Sequence, residues 1–542
     1  MSLIKRIDEL SSKRNFKRGW FGLVCAVFVF LIIIPAIYVL FEAVAEWDAV
    51  SDVLNDASAM STIWTAVYNS FSIAFIVTII DIIVGLPMAW IMVRKQFAGK
   101  KYIDTLIDMP LAVPTAVLGI SVVMFWGAPS GVTIPGLGWV LTPYLMMVLL
   151  HIIFTYPYMV RSLSAILEQI DPNYETAGMT LGASRFTAAR TITLPLFRAG
   201  LTTGFILCFA RSLSETGGTF IALEMMGMSN VFFTGPTYIQ VYKATSMGPV
   251  ILISVIMIIL AILLLFVAKY IMNKVRIPWS RVWPKWERKI SRGLAVRSRD
   301  VITMGVLLFI VLIPAFYIFT YMTASGAPVN YGDLTLAIAT SFLIAGIAVV
   351  FDVVFGIPMA MYIARHGDTR LGRALDNLVN VPLIIPTTAL GVSLSLFWGH
   401  FDLSSFTLLL VVLGHISFTY PLMVRNIIGA MEEVDVSYEE VALTLGAKPF
   451  QAFRKVLLPI IKSSVIAGGI LAFTRSLGET GATVAISSTV MTAPIYIMNL
   501  VKAGSITGDY YAAAISSIIL IVICFILMFM VRRVTRDKEG NE

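Results

Sequence analysis

The sequence predicts an all-α polytopic membrane protein with about twelve transmembrane helices, set out as two parallel six-helix repeats. Three observations carry this. The 542 residues are 58% hydrophobic and only 13% charged, where a soluble domain carries about 25% charged residues. Windows such as residues 20–41 and 247–270 are nearly free of charge over the roughly 20 residues that cross a bilayer core as a helix. And the chain repeats itself, which decides the architecture. The alternating segments of about 10 residues that mark a β-barrel are missing.

The repeat runs through every element. "IPAIYVL" from Ile34 returns as "IPAFYIF" from Ile313, and "DIIVGLPMA" from Asp81 as "DVVFGIPMA" from Asp352. "MPLAVPTAVLGISVVMFWG" from Met109 returns from Val381, "HIIFTYPYMVR" from His151 returns from His415, and "ARSLSETGGT" from Ala210 returns from Thr474. The expected helices lie near residues 19–43, 62–94, 103–127, 138–166, 196–224 and 247–273 in the first half. In the second they lie near 301–323, 333–365, 372–399, 404–428, 460–486 and 510–532. Six is even, so both halves enter from the same side and the pseudo-twofold axis runs along the membrane normal. The division is residues 1–272, a basic linker 273–300, and residues 301–542.

Charge sets the orientation. Lys5, Arg6, Lys13, Arg14, Lys17 and Arg18 precede the first span, and Arg94, Lys95, Lys100 and Lys101 follow the second. The loop between them carries Glu42, Glu46, Asp48, Asp52 and Asp56 without Lys or Arg. The positive-inside rule then places both termini in the cytoplasm of a multi-pass protein of the cell membrane. No small-residue cleavage site closes the first span, which reads as a retained anchor. The net charge of +8 raises nucleic acid as a partner, but its clustering at span ends excludes it. In the linker, nine Lys/Arg face two acids, with Trp279, Trp283 and Trp286 interleaved; this suits membrane lipid on the cytoplasmic leaflet. Cys25, Cys208 and Cys524 share no spacing that a disulfide or metal site needs, and read as small buried hydrophobes. No catalytic site, metal or cofactor is expected. There is no G-x-x-x-x-G-K-[ST] loop, so ATP is not hydrolysed by that chemistry in this chain.

The most informative feature is polar. "YETAGMTLGASRFTAARTITLP" from Tyr174 returns as "YEEVALTLGAKPFQAFRKVLLP" from Tyr438, each after four spans and so on the cytoplasmic side. Asp171 and Pro172 signal a helix start, and Ser437 with Glu440 has capping-box spacing. Each short helix stops at glycine, Gly182 or Gly446. Two readings fit the pattern: an interfacial helix resting on the membrane, or a helix that docks in a partner's groove.

These segments resemble the EAA loop of ABC importer permeases: E-A-A, three residues, G, nine residues, I-x-L-P. Gly182 is followed by Ile192, Leu194 and Pro195 at that spacing, and Gly446 by Val456, Leu458 and Pro459. Thr176, Ala177 and Gly178 stand at the E-A-A positions of the first copy, with Glu175 one place early; Glu440, Val441 and Ala442 stand there in the second. The resemblance implies a fused pair of permease halves with the type I importer fold. It implies that Glu175, Thr176, Ala177 and Gly182, with Glu439, Glu440, Ala442 and Gly446, couple to a cytoplasmic ABC ATPase dimer, which uses the ATP. An extracytoplasmic substrate-binding protein is implied as well.

Deep in the fifth spans lie Arg211, Ser212, Glu215 and Thr219, and their counterparts Arg475, Ser476, Glu479 and Thr483. Charges inside a span are costly and default to function. Arg and Glu four apart share a helix face and neutralise each other; alternatively these residues line a polar route for an anion at the two-half interface. The stretches resemble the R-x-L-G-E-x-G-A-T segment of molybdate, tungstate and sulfate permeases, with Thr216 and Thr480 where that family often has Phe. The implied cargo is a small oxyanion. Ferric iron or thiamine permeases, and a twelve-span ion-driven secondary transporter, are the alternatives. His151 and His415 read as hydrogen-bonded packing residues, Asp81 and Asp352 as cross-helix acceptors, and Pro110/Pro114 and Pro382/Pro386 as kinks in the third spans.

Overall fold

The computed structural model describes residues 8–127, 141–274, 283–401, 403 and 406–539. Among them eight helices are long and apolar enough to cross a membrane, eleven if three sharply bent pairs each count as one span. A shorter apolar helix, Tyr511–Leu527, follows them near the end of the second half.

The third spans show what the paired prolines do. Lys100–Leu111 meets Thr115–Trp126 at 104°, and Arg370–Ile384 meets Thr387–Gly399 at 106°. Pro114 and Pro386 have extended backbones, ψ 136° and 131°. A proline cannot continue the hydrogen-bond ladder, and it pushes the residue before it out of the helical region. The expected kink is thus a near right angle.

The first span of each half leaves its own half and packs on the other. Helix Arg14–Phe28 lies on Tyr331–His366, and Ile34–Ile37 on Thr387–Gly399. Reciprocally, Leu294–Val306 lies on Ala57–Arg94, and Ile313–Phe316 on Thr115–Trp126. Pro35 and Pro314 mark where each crossing helix opens. The hydroxyl of Ser393 donates to Pro35 O at 2.7 Å and accepts from Val39 N at 2.8 Å. Ser121 does the same for Pro314 O (2.7 Å) and Ile318 N (2.9 Å). Each serine inserts into the opposite half's helix ladder and satisfies two backbone groups that would otherwise be stranded in a medium without water.

Candidate functional site

Each polar loop is a helix held at both ends. In the first, Asp171 accepts the Asn173 N–H at 2.8 Å and the helix runs Pro172–Thr180. In the second, Asp435 accepts the Ser437 N–H at 2.8 Å, and the helix runs Ser437–Thr444. The capping box expected from Ser437 and Glu440 does not form: Ser437 already lies inside the helix, so Asp435 takes over the capping. At the far end Gly182 and Gly446 have φ of 93° and 87°, the left-handed region that costs other residues about 1–2 kcal/mol. Ala183 N–H then bonds Gly178 O at 3.1 Å, and Ala447 N–H bonds Ala442 O at 3.0 Å, the closing bond of a Schellman cap.

Glu175 and Glu439 face inward. Glu175 takes Arg94 at 3.1 Å and the Thr193 hydroxyl at 3.0 Å; Glu439 takes Arg365 at 2.6 Å. Both arginines, at the ends of the second spans, also reach the backbone before the loop helix, at Ile170 O (2.8 Å) and Val434 O (3.2 Å). Sequence reasoning missed them, although both follow the repeated "GLPMA" and "GIPMA" segments at one spacing. Thr176, Ala177 and Glu440 are exposed, and Ala442 is half-buried. Beside them Leu181 is 90% exposed and Leu445 82% exposed, two apolar side chains with nothing over them.

Behind each loop runs a segment that enters the opposite half. Ser291 accepts the Phe186 N–H at 3.1 Å, and Ser11 accepts the equivalent Phe450 N–H at 3.2 Å. The linker adds Glu287, which takes Arg190 at 2.8 Å, the Thr187 hydroxyl and the Trp283 N–H. Burial pushes the Glu287 carboxyl up, but those donors outweigh it and hold it below the usual glutamate range. Trp283 and Trp286 are exposed; Trp279 lies outside the described residues.

The residues expected on a route through the fifth spans divide into two groups. Ser212 and Thr219 clamp the two ring nitrogens of His151, at 2.7 and 2.9 Å, and Ser476 and Thr483 clamp His415, at 2.6 and 2.9 Å. Both histidines are thus buried and hydrogen-bonded across helices. Asp81 accepts the Thr155 hydroxyl across helices at 2.5 Å. Arg211 and Glu215 pair at 2.7 Å, and Arg475 and Glu479 at 2.5 Å. Each glutamate also accepts an N–H of the next short helix, Gly218 or Ala482, both at 2.9 Å. That places the carboxylate where a helix N-terminus stabilises negative charge. The arginines lie over Phe154 (4.8 Å) and Phe418 (5.1 Å), and both line one small cavity with Pro110, Pro114 and Thr474.

Beyond these pairs the fifth spans break, and the breaks meet across the two halves. A Cβ at Gly217 would lie 2.5 Å from Thr480 Oγ1, and one at Gly481 2.5 Å from Thr216 Oγ1. Thr216 also bonds Thr388. The two threonines that stand where the resembled family often has phenylalanine thus sit in close contact with the opposite half. Farther along, Lys243 crosses to Val484 O at 3.1 Å and Lys502 lies 5.1 Å over the Phe220 ring of the other half. The shared "KATS" and "KAGS" was the overlooked signal for this pair. Among the described residues no group of three or more His, Cys, Asp or Glu could hold a metal.

A twofold membrane bundle with paired polar loops and paired breaks around one axis defines a transport-protein membrane subunit. Residues 81–277 and 356–539 match the family of binding-protein-dependent transport system inner membrane components. The chain belongs to that family and carries its domain twice, which sets aside the ion-driven alternative. It is 28% identical over 272 residues to a probable sulfate transport system permease protein of Marchantia polymorpha, covering 48% of this chain and 90% of that one. It is 36% identical over 153 residues to the sulfate transport system permease protein of Salmonella typhimurium (28% of this chain, 55% of that one). It is 33% identical over 160 residues to the molybdenum transport system permease protein of Escherichia coli K12 (29% and 70%).

Proposed function

We propose that this chain is the permease of an ATP-driven ABC importer, built of halves 1–272 and 301–542 around the linker. It carries a small oxyanion such as sulfate, molybdate or tungstate into the cytoplasm, where both termini lie. ATP is hydrolysed by a separate dimer, and an extracytoplasmic protein delivers the anion. One observation carries the coupling role: two equivalent short helices, each pinned from behind by an Arg–Glu pair, present Leu181 and Leu445 almost bare. Bare leucines flanked by Thr176 and Glu440 suit a groove with an apolar floor and a polar rim. The relatives, permeases of sulfate and molybdenum transport systems, support the cargo. So does the cavity beneath the axial contact, where Arg211 and Arg475 are already paired; an entering anion exchanges with carboxylates rather than meeting bare cations.

The test is reconstitution with the cognate ATPase and binding protein. Gly182→Val with Gly446→Val forces a branched residue into the left-handed region, and the expected result is normal membrane insertion with uptake uncoupled from ATP hydrolysis. Uptake that persists without any ATPase overturns the reading. Competition by sulfate and molybdate, but not by ferric iron or thiamine, tests the cargo.

A further inference from the structure

A cavity of about 650 Å3 lies between the first polar loop, the linker and the end of the second span. Its inner end is apolar, with Leu86, Trp90 and Phe197; its rim carries Lys95, Arg185 and Arg299. The other two arginines of the lining are neutralised, Arg94 by Glu175 and Arg190 by Glu287. Lys95 and Arg299 share a single carboxylate, Asp300. Arg185 is exposed and has no carboxylate partner among the described residues. Three cations thus face one acid at the mouth of an apolar chamber. The flanking surface is greasy: Ile83 is 64%, Leu196 54% and Ile302 65% exposed, as residues facing acyl chains are.

We propose that this cavity is an anionic phospholipid site, with the phosphate at Arg185, Lys95 and Arg299 and the upper acyl chain along Trp90 and Leu86. A soluble phosphate satisfies the rim but leaves the apolar chamber uncovered; a zwitterionic lipid fills the chamber but brings its own cation to the rim. Basic pockets between spans at a membrane surface select acidic headgroups for this reason. The repeat makes the proposal sharper. Lys95, Arg185 and Arg299 correspond to His366, Pro449 and Trp20 in the other half, so the site occurs once per chain. It wedges between the linker and the helix after the first loop, and a lipid there ties that loop to its bilayer. The proposal does not depend on the cargo.

The full chain, purified in detergent and stripped of lipid, is titrated by native mass spectrometry. The probes are phosphatidylglycerol and phosphatidylcholine with identical acyl chains, and glycerol 3-phosphate. The expected result is one phosphatidylglycerol per chain, held roughly ten-fold tighter than phosphatidylcholine. Arg185→Gln with Arg299→Gln abolishes that preference, while Lys13→Gln with Lys17→Gln leaves it. Arg185→Gln alone, at an exposed position, lowers it by about three-fold or more. Equal binding of the two lipids, preference retained in Arg185→Gln, equal loss in the Lys13/Lys17 control, or glycerol 3-phosphate binding as tightly as phosphatidylglycerol each overturns the proposal.

Discussion

In the first loop Glu175 holds Arg94, and the linker's Glu287 holds Arg190 and Thr187. In the second, Glu439 holds Arg365 in the same way. The linker's place there is taken by Ser11 and Glu9, and Glu9 reaches Lys448 only at 4.0 Å between two exposed groups. The anchor from span to loop is thus duplicated, whereas the strap behind the loop is strong in one half and slight in the other. Under the proposed coupling, force that enters either loop passes to its second span through the Arg94 or Arg365 guanidinium, and the strap sets how far the loop yields.

Breaking the shared part should cost most. Arg94→Ala and Arg365→Ala each leave a partly buried glutamate without its cation, a loss of about 1.5–3 kcal/mol in loop docking. Both should cut coupled ATPase activity to a similar degree. A silent Arg365→Ala beside a damaging Arg94→Ala would show that the second loop is not mechanically held, and the comparison would break. The straps should separate the halves. Glu287→Gln removes charge-assisted bonds worth about 1.5–3 kcal/mol, so hydrogen exchange at residues 185–189 should rise by ten-fold or more. Ser11→Ala removes one capping bond of about 1 kcal/mol and should raise exchange near Phe450 only modestly.

Acid sharpens the same contrast. The Glu287 carboxyl lies below its ordinary value of about 4.3 in the folded state. The stabilisation it gives is therefore complete above that value and fades as pH falls through the depressed one. The protection factor at residues 185–189, taken relative to intrinsic exchange at each pH, should fall on acidification below about pH 4.3 in the wild type and stay flat in Glu287→Gln.

The smallest effect lies inside the loops. A Cβ at Gly178 would lie 2.6 Å from Ile192 Cδ1, whereas the second half carries Ala442 with the shorter Val456. Gly178→Ala should be close to neutral, because Ile192 Cδ1 ends a side chain that can turn aside and alanine gains about 1 kcal/mol of helix propensity; adding Ile192→Val should make the change stabilising. Thermal unfolding of the two variants reads this directly.

The repeat, the six spans per half and both loops were legible because hydropathy and turn residues are local signals. Gly182 and Gly446 were readable for the same reason: only a helix stop with positive φ asks for glycine there. Arg94 and Arg365 were not, because nothing within ten residues says which carboxylate a basic span end will meet. The bonds from Ser212, Thr219, Ser476 and Thr483 to His151 and His415 were equally hidden. A hydroxyl deep in a span reads as a pore lining or a packing partner until its histidine is placed. The right-angled third spans were half legible: prolines announce a break, but its angle follows from packing on the other half's first span.

That exchange of first spans has a cost in time. Helix Arg14–Phe28 is synthesised some three hundred residues before Tyr331–His366, on which it settles. At ordinary synthesis rates the wait is on the order of tens of seconds. Through that interval the helix waits in the bilayer with the surface it packs on still unmade. Joining both halves in one polypeptide guarantees that the awaited partner always comes.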